Sequence, residues 1–558
     1  PSVSSIVLDE TTIAENGGAA IITATISAAH SKDVTIPLTI TGTANIDTDY
    51  STAFSSKETI STVAGDTGIS GSATNKLAAP LNVKIDPDGN MYIADHGNYR
   101  IMKWLPGASE GTVVAGGNGK GNALNQFGST ISRFYVNSSK DIYVLDHNQY
   151  RVMKWASGAN SGTVVAGGNG SGSALNQLNS PNGIHIDSSN NVYVLDKGNH
   201  RVVKWAVGGS TGTVVAGGNG SGSNNNQLFN PASFYIDSSE NIYISDTGNY
   251  RVMKWATGAS EGTVVAGGNG NGGALNQINE GSDHIQINSN GDLYVLDRVN
   301  NGSRLMKWIS GSSQGIEIAK FNYTSYVRKL YVNPNEDVYV LAEGENTLFR
   351  IKKGSSTIEN IAGGNGQGSS NNQLYNPSNF DLDSKGNIYI ADEYNHRIQK
   401  ITINPEITIA AGAKTGTITF TGIQDSIKED DETIIITPST SPTNATSSIS
   451  DTSNITITDD DDPPTVTFAF SADSIEENSS TDVTLTATLS EASGQDVSIP
   501  YTVSGTATIT DEYTINASPI TISAGATTGT VTISTNELDD NEVEPIETII
   551  LTFGTLVN

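Results

Sequence analysis

Aspartate and arginine stand five residues apart again and again in the middle of this 558-residue chain: Asp95 and Arg100, Asp146 and Arg151, Asp196 and Arg201, Asp246 and Arg251, Asp392 and Arg397. A carboxylate beside a guanidinium can act as a catalytic charge pair. Catalysis needs one distinct set of groups converging at one place, however, and recurrence at a fixed interval points instead to a turn or an ion pair between repeats. Other catalytic chemistries are thinly provided. The chain has no cysteine, which excludes thiolate nucleophiles, thiolate zinc sites and disulfides. His185 and His284 fall in separate repeats with no third histidine at a corresponding place to finish a zinc triad. The glycine loops around Gly117, Gly168, Gly218, Gly268 and Gly364 would need a following helix to cradle phosphate, and each leads into another strand pattern. The expectation is a protein that is not an enzyme.

The elements that carry these residues are repeats. An alternating apolar strand ending in an acid appears as MYIAD, IYVLD, VYVLD, IYISD, LYVLD, VYVLA and IYIAD, with Asp95, Asp146, Asp196, Asp246, Asp297, Ala342 and Asp392 at its end. Successive spacings are 51, 50, 50, 51, 45 and 50 residues. Short strands at such a period predict a β-propeller, here with seven blades. The last copy lacks the TVVAGG segment that follows the others, and its equivalent lies ahead of the first copy, from Thr59. An N-terminal strand is therefore expected to complete the last blade and remove free sheet edges. All five tryptophans (Trp104, Trp155, Trp205, Trp255 and Trp308) follow a lysine at one repeat position, which predicts packing, with a sugar-stacking ring as the alternative. By contrast, Asn82, Arg133, Gly183, Ser233, His284, Lys329 and Asn379 occupy one position just before each inner strand, and that variety is what ligand selection would look like.

The phrases GNxYVxD and GNHRVxKW, with P-x-G-I-x-I-D ahead of them, resemble the NHL repeat. The resemblance implies a propeller that serves mostly as a scaffold for protein, nucleic-acid or sugar recognition, with a minority of metal-dependent lyases and hydrolases. Its commonest form has six blades, and the count here departs from it.

The flanks read as a duplicated sandwich. Residues 1–58 and 405–462 together repeat, segment by segment, the pattern of residues 463–558, so that AAGAKTGTITF at 410–420 aligns with SAGATTGTVTI at 523–533. Both copies resemble Calx-β domains through an E-N turn, a GTA…DY step, spaced late acids and a terminal acidic run. The expected fold class is all-β: a seven-bladed β-propeller (59–404) inserted in an Ig-like Calx-β sandwich (1–58 and 405–462), plus a second Calx-β sandwich (463–558) whose last strand is missing from the chain. The resemblance implies Ca2+ as the cofactor. Its ligand pattern falls on Glu15, Asp49, Asp425, Glu429, Glu432, Asp459, Asp460 and Asp461 in the first sandwich, and on Glu477, Asp539, Asp540, Glu544 and Glu547 in the second. Calcium takes six to eight oxygens in irregular geometry, which suits strand-end loops gathered at one pole. The DDDD run at 459–462 stands at the junction between the two sandwiches, where a bound metal would stiffen the connection.

Charge agrees with a cation as partner. The net charge of −29 is concentrated outside the repeats: residues 59–404 carry only −1, while 1–58, 405–462 and 463–558 carry −5, −9 and −14. Nucleic acid is a poor partner for such a surface. No apolar run is long enough to span a membrane and no signal peptide is present, while Pro1 begins inside a strand pattern, as expected of a segment from a longer secreted protein. The expected setting is extracellular or at a bacterial cell surface, in an adhesin or matrix protein. The expected partners are a glycan or protein ligand at the propeller face and other copies of the chain by strand exchange. The alternatives are a carbohydrate-binding accessory region of a secreted polysaccharide-degrading enzyme and, less favoured, a metal-dependent propeller lyase or hydrolase.

Overall fold

The computed structural model describes the chain except residues 45–48, 53–54, 129–130, 238, 280–283, 289, 300–301, 322–326, 335, 425–427, 429, 462, 477–481, 492, 494, 509–512, 524–525, 536–545 and 556–558. Its contacts divide it into two compact units, Pro1–Ser55 with Glu406–Asn558, and Ser56–Pro405.

The Ser56–Pro405 unit is a ring of small antiparallel sheets. Six have four strands each in sequence order, the first running Pro80–Ile85, Met91–Asp95, Arg100–Trp104 and Thr112–Gly116. A further sheet holds Pro377–Leu382, Ile388–Asp392 and the start of Arg397–Ile409, and its outer strand is Ser55–Gly65 from the other end of the unit. This closure buries Ala64 against Ile398 and Ala391 and seats the Gly68 amide on the Asn395 carbonyl at 2.9 Å. Between the first and last sheets, the Ser378 hydroxyl donates to the Pro80 carbonyl at 3.1 Å.

Second strands such as Val192–Asp196 and Ile388–Asp392 are buried along their whole length, because neighbouring sheets cover both faces. A half-buried strand would alternate instead. The five tryptophans are at most 2% exposed and pack on glycines of the next turn; a Cβ at Gly111 would come within 2.5 Å of the Trp104 ring. Packing is therefore their role, and the sugar-stacking alternative fails for these residues. The GGNG loops are stapled to themselves, Asn118 Nδ2 donating to the Asn125 carbonyl at 3.2 Å and Gln126 Nε2 to the Asn118 carbonyl at 2.7 Å. They lead into an isolated bridge such as Lys120 with Phe127, not into a helix.

In the other unit, residues of the first sandwich form two sheets around one core. One sheet orders Val3–Leu8, Ala19–Ile26, Thr415–Gly422 and Tyr50–Thr52. The other orders Thr12–Ala14, Ser453–Thr458, Glu432–Pro438, Val34–Gly42 and the end of Arg397–Ile409. Ile22, Ile36, Phe420, Ile434 and Ile455 meet between them, each fully buried. The same order recurs from Val466: Val466–Phe470, Val483–Leu489, Thr528–Ser534 and Thr514–Ile515 on one side, with Tyr501–Gly505 pairing Ile549–Phe553 on the other. Gly42 and Gly505, the glycines of the two GTA steps, have φ of 124° and 135°, and a Cβ would lie 2.0 Å from the Thr433 carbonyl oxygen or 1.9 Å from that of Thr548. Only glycine fits at either place.

Candidate functional site

Two places gather the residues that could do chemistry: the strand ends at one pole of the first sandwich, and the inner strands of the ring.

At the first, Thr12–Ala14 runs parallel to Ser453–Thr458, and the Glu15 amide continues that ladder onto the Thr458 carbonyl at 3.2 Å. The two strands therefore deliver Glu15 and the 459–461 run to the same spot. Carboxylate oxygens of Glu15, Asp459 and Asp461 all lie within 4.8 Å of one another. Two oxygens that share an ion at about 2.4 Å can be no more than about 4.8 Å apart, so the three carboxylates are within reach of one ion. Glu15, Asp49, Asp430, Glu432 and Asp459 line one small cavity. An all-oxygen donor set of this charge fits a hard divalent cation. The Lys428 ammonium bonds Asp459 and supplies one positive charge to the cluster; that bond pushes its pKa above the usual lysine range.

Of the sequence-predicted ligands, Glu15, Asp49, Glu432, Asp459 and Asp461 come together. Asp460 instead accepts from Asn16 Nδ2 at 2.5 Å. Asp425 and Glu429 lie outside the described residues. In the second sandwich so do Glu477, Asp539, Asp540 and Glu544, while Glu547 lines a cleft beside Phe470, Ile475 and Ile549. Asp430 was not among the predicted ligands, although the E-D-D-E run at 429–432 carried the signal.

In the ring, each Asp–Arg pair is a buried staple. Asp246 is fully buried; its Oδ2 accepts from Arg251 Nε and Asn249 Nδ2, both at 2.8 Å, and its Oδ1 from the Phe229 amide at 2.6 Å. The guanidinium then reaches the Ser223, Asn224 and Gln227 carbonyls of the preceding glycine loop at 2.8 to 3.2 Å. Asp95, Asp146, Asp196 and Asp392 hold the same position with the same arginine bond. No group in these pairs is left over for reaction.

The first strands of successive sheets lie side by side, with Gln286 Nε2 reaching the Val332 carbonyl at 3.2 Å and Asn82 Nδ2 the Ser132 carbonyl at 2.8 Å. Here the repeat is broken by different residues in each copy. Lys329, on Val327–Val332, donates to the Phe380 carbonyl and lies 3.8 Å from Asp381, whose Oδ1 also takes a 2.9 Å bond from Lys84. Burial, with the nearby positive charges of Lys84 and Arg133, pulls the Lys329 ammonium down to about 7 against the opposing pull of Asp381. His185 stands apart on Pro181–Ile186, its pKa lowered by burial, with its ring edge-on to Tyr193.

Among solved structures the chain is similar to a streptogramin B lyase, at 13% identity over 63% of this chain and 99% of that one, with a TM-score of 0.43. It is also similar to virginiamycin B lyase from Staphylococcus aureus (12%, 62% and 99%, TM-score 0.44) and to the WD40 repeats of RRP9 (10%, 65% and 100%, TM-score 0.43). No curated protein matches the sequence. Two stretches of the ring, residues 178–205 and 374–401, match the NHL repeat, and the closed ring of small antiparallel sheets is a β-propeller.

Proposed function

We propose that this chain is a non-catalytic segment of an extracellular adhesin or matrix protein, in which a seven-bladed propeller inserted in a Calx-β sandwich is displayed as a binding module and calcium stiffens the sandwiches. The observation that carries the binding role is the contrast within the ring. Its buried scaffold repeats the same aspartate, arginine and tryptophan, while the inner-strand position varies from Asn82 to Arg133, Gly183, Ser233, His284, Lys329 and Asn379. Packing demands identical residues at repeated positions; differences there are what recognition of an asymmetric ligand requires. The calcium role is supported by the oxygen spacing around Glu15, Asp459 and Asp461, at the end of the strand that leads to the second sandwich.

A second reading, a carbohydrate-binding accessory region of a secreted enzyme, is supported by Tyr135, an aromatic 37% exposed on an inner strand. Small-angle scattering in excess calcium and after chelation tests the first. Chelation is expected to broaden the distribution of maximum dimension, and an unchanged profile defeats the stiffening. Glycan-array binding that tolerates substitution at Tyr135 counts against the second.

A further inference from the structure

The ring has a second fastening besides the strand Ser55–Gly65. In three repeats the turn after the second strand ends on His200, Asn346 or His396, each in the left-handed region with φ of 53°, 51° and 55°. From there the side chain reaches the next repeat and accepts a backbone amide just ahead of its first strand. Asn230 donates to His200 Nδ1 at 3.2 Å, Asn376 to Asn346 Oδ1 at 2.6 Å, and Ala79 to His396 Nδ1 at 3.1 Å. The last of these joins the two ends of the ring. Ala78, one residue earlier, is tied to the first sheet instead: its amide donates to Asp95 Oδ1 at 2.6 Å, and its carbonyl accepts the Gly97 amide at 2.8 Å. Consecutive residues are therefore held by the first sheet and by the last. Ala79 has φ of 49°, a conformation that asparagine visits and alanine avoids, so its hold on His396 also opposes local strain.

A backbone amide has only a proton to give. Nδ1 of each histidine is therefore bare, and the proton of the neutral ring is on Nε2. We propose that His396 makes the seam of the ring sensitive to acid: a second proton on its imidazole sets an N–H against the Ala79 N–H, and the first sheet is released from the last at that point. An imidazole takes up that proton at about pH 6.5 in water. Folding with Nδ1 bare excludes a proton that the unfolded chain binds, so the contribution is complete above that pH and is lost as pH falls below it. His200 does the same between the third and fourth repeats. Asn346 does not, because an amide oxygen gains no proton in this range. The carboxylates on the segments that meet at the seam are paired: Asp66 with Lys76 at 3.7 Å, Asp95 with Arg100 at 2.7 Å, Asp392 with Arg397 at 2.8 Å, and Glu393 with Asn376 Nδ2 at 3.0 Å. His96, in the turn beside Ala78, has its pKa lowered by burial against the opposing pull of Asp95; it is common to wild type and to a variant at His396, so it cancels between them.

The test is amide hydrogen exchange read by mass spectrometry on the full chain at pH 7.5 and pH 5.5, corrected for the pH dependence of exchange in an unstructured peptide. The chain carries its own control. Protection of the Ala79 and Asn230 amides should fall by up to about fivefold at the lower pH, the scale of one net hydrogen bond, while that of Asn376 holds. His396→Asn, which copies the sixth repeat, should keep Ala79 protected at pH 5.5 and leave Asn230 as sensitive as before. If Asn376 loses protection in step with the other two, if none of the three changes, or if Ala79 in His396→Asn is as acid-sensitive as in wild type, the acid-sensitive seam is overturned.

Discussion

Replacing Asp246 by alanine removes the acceptor of three hydrogen bonds and leaves Arg251, 6% exposed, as a buried charge beside an apolar methyl. Breaking a buried pair from one side costs about 3–5 kcal/mol, because the remaining charge keeps its desolvation penalty without its partner. The protein contains its own control. In the sixth repeat Ala342 faces Thr347 in the register that Asp246 shares with Arg251, so acid and base are both absent there. Thr347 satisfies its hydroxyl locally, on the Glu345 carbonyl at 2.8 Å. The double variant Asp246→Ala with Arg251→Thr should therefore cost no more than Asp246→Ala alone, a coupling of about 2–3 kcal/mol. All five tryptophans lie between residues 104 and 308, so their fluorescence during urea unfolding reports the ring without interference from the sandwiches. A single-variant loss below about 1 kcal/mol, or a double-variant loss equal to the sum of the two singles, would refute the staple.

Glu336 provides an acid-sensitive contact in the ring. Burial opposes its charge, but bonds from Lys307 at 2.6 Å, Lys353 at 3.1 Å and Tyr294 at 2.9 Å win and hold it at about 2. A depressed carboxylate stabilises the fold above its ordinary pKa and loses that contribution as pH falls. The melting temperature of wild type should exceed that of Glu336→Gln above pH 4.5 and converge with it toward pH 2; parallel profiles would contradict this. In the second sandwich, Ile549–Phe553 pairs with Tyr501–Gly505, whereas its counterpart Glu432–Pro438 is also covered by Ser453–Thr458. A labelled peptide with the sequence of residues 453–460 should bind along Ile549–Phe553, where Ile550 is 52% exposed, and the same peptide with both isoleucines changed to aspartate should not. Equal anisotropy for the two peptides would sink that reading.

Much of the scaffold was legible because its rules are local. The period fixed the sheets, and the displaced TVAG segment after Thr59 foretold the strand Ser55–Gly65 pairing with Arg397–Ile409. The glycine of each GTA step takes a backbone position that no side chain can occupy, which the structure alone reveals. Other features were hidden because they depend on what lies across the core. VYVLD reads as a half-buried strand, and only the neighbouring sheets make all five residues buried. The tryptophan position left packing and sugar stacking open, since exposure is not written in a repeat. Near the acidic pole, the parallel pairing of Thr12–Ala14 with Ser453–Thr458 spans more than 400 residues of sequence, and it decides that Asp461 joins Glu15 while Asp460 turns to Asn16.

Anomalous diffraction from crystals grown with calcium tests the metal-held sandwich most directly. The predicted result is a peak bounded by Glu15, Asp459 and Asp461, with oxygens at about 2.3–2.6 Å. A difference map with no anomalous signal there, and the Lys428 ammonium seated among the carboxylates in its place, would contradict it.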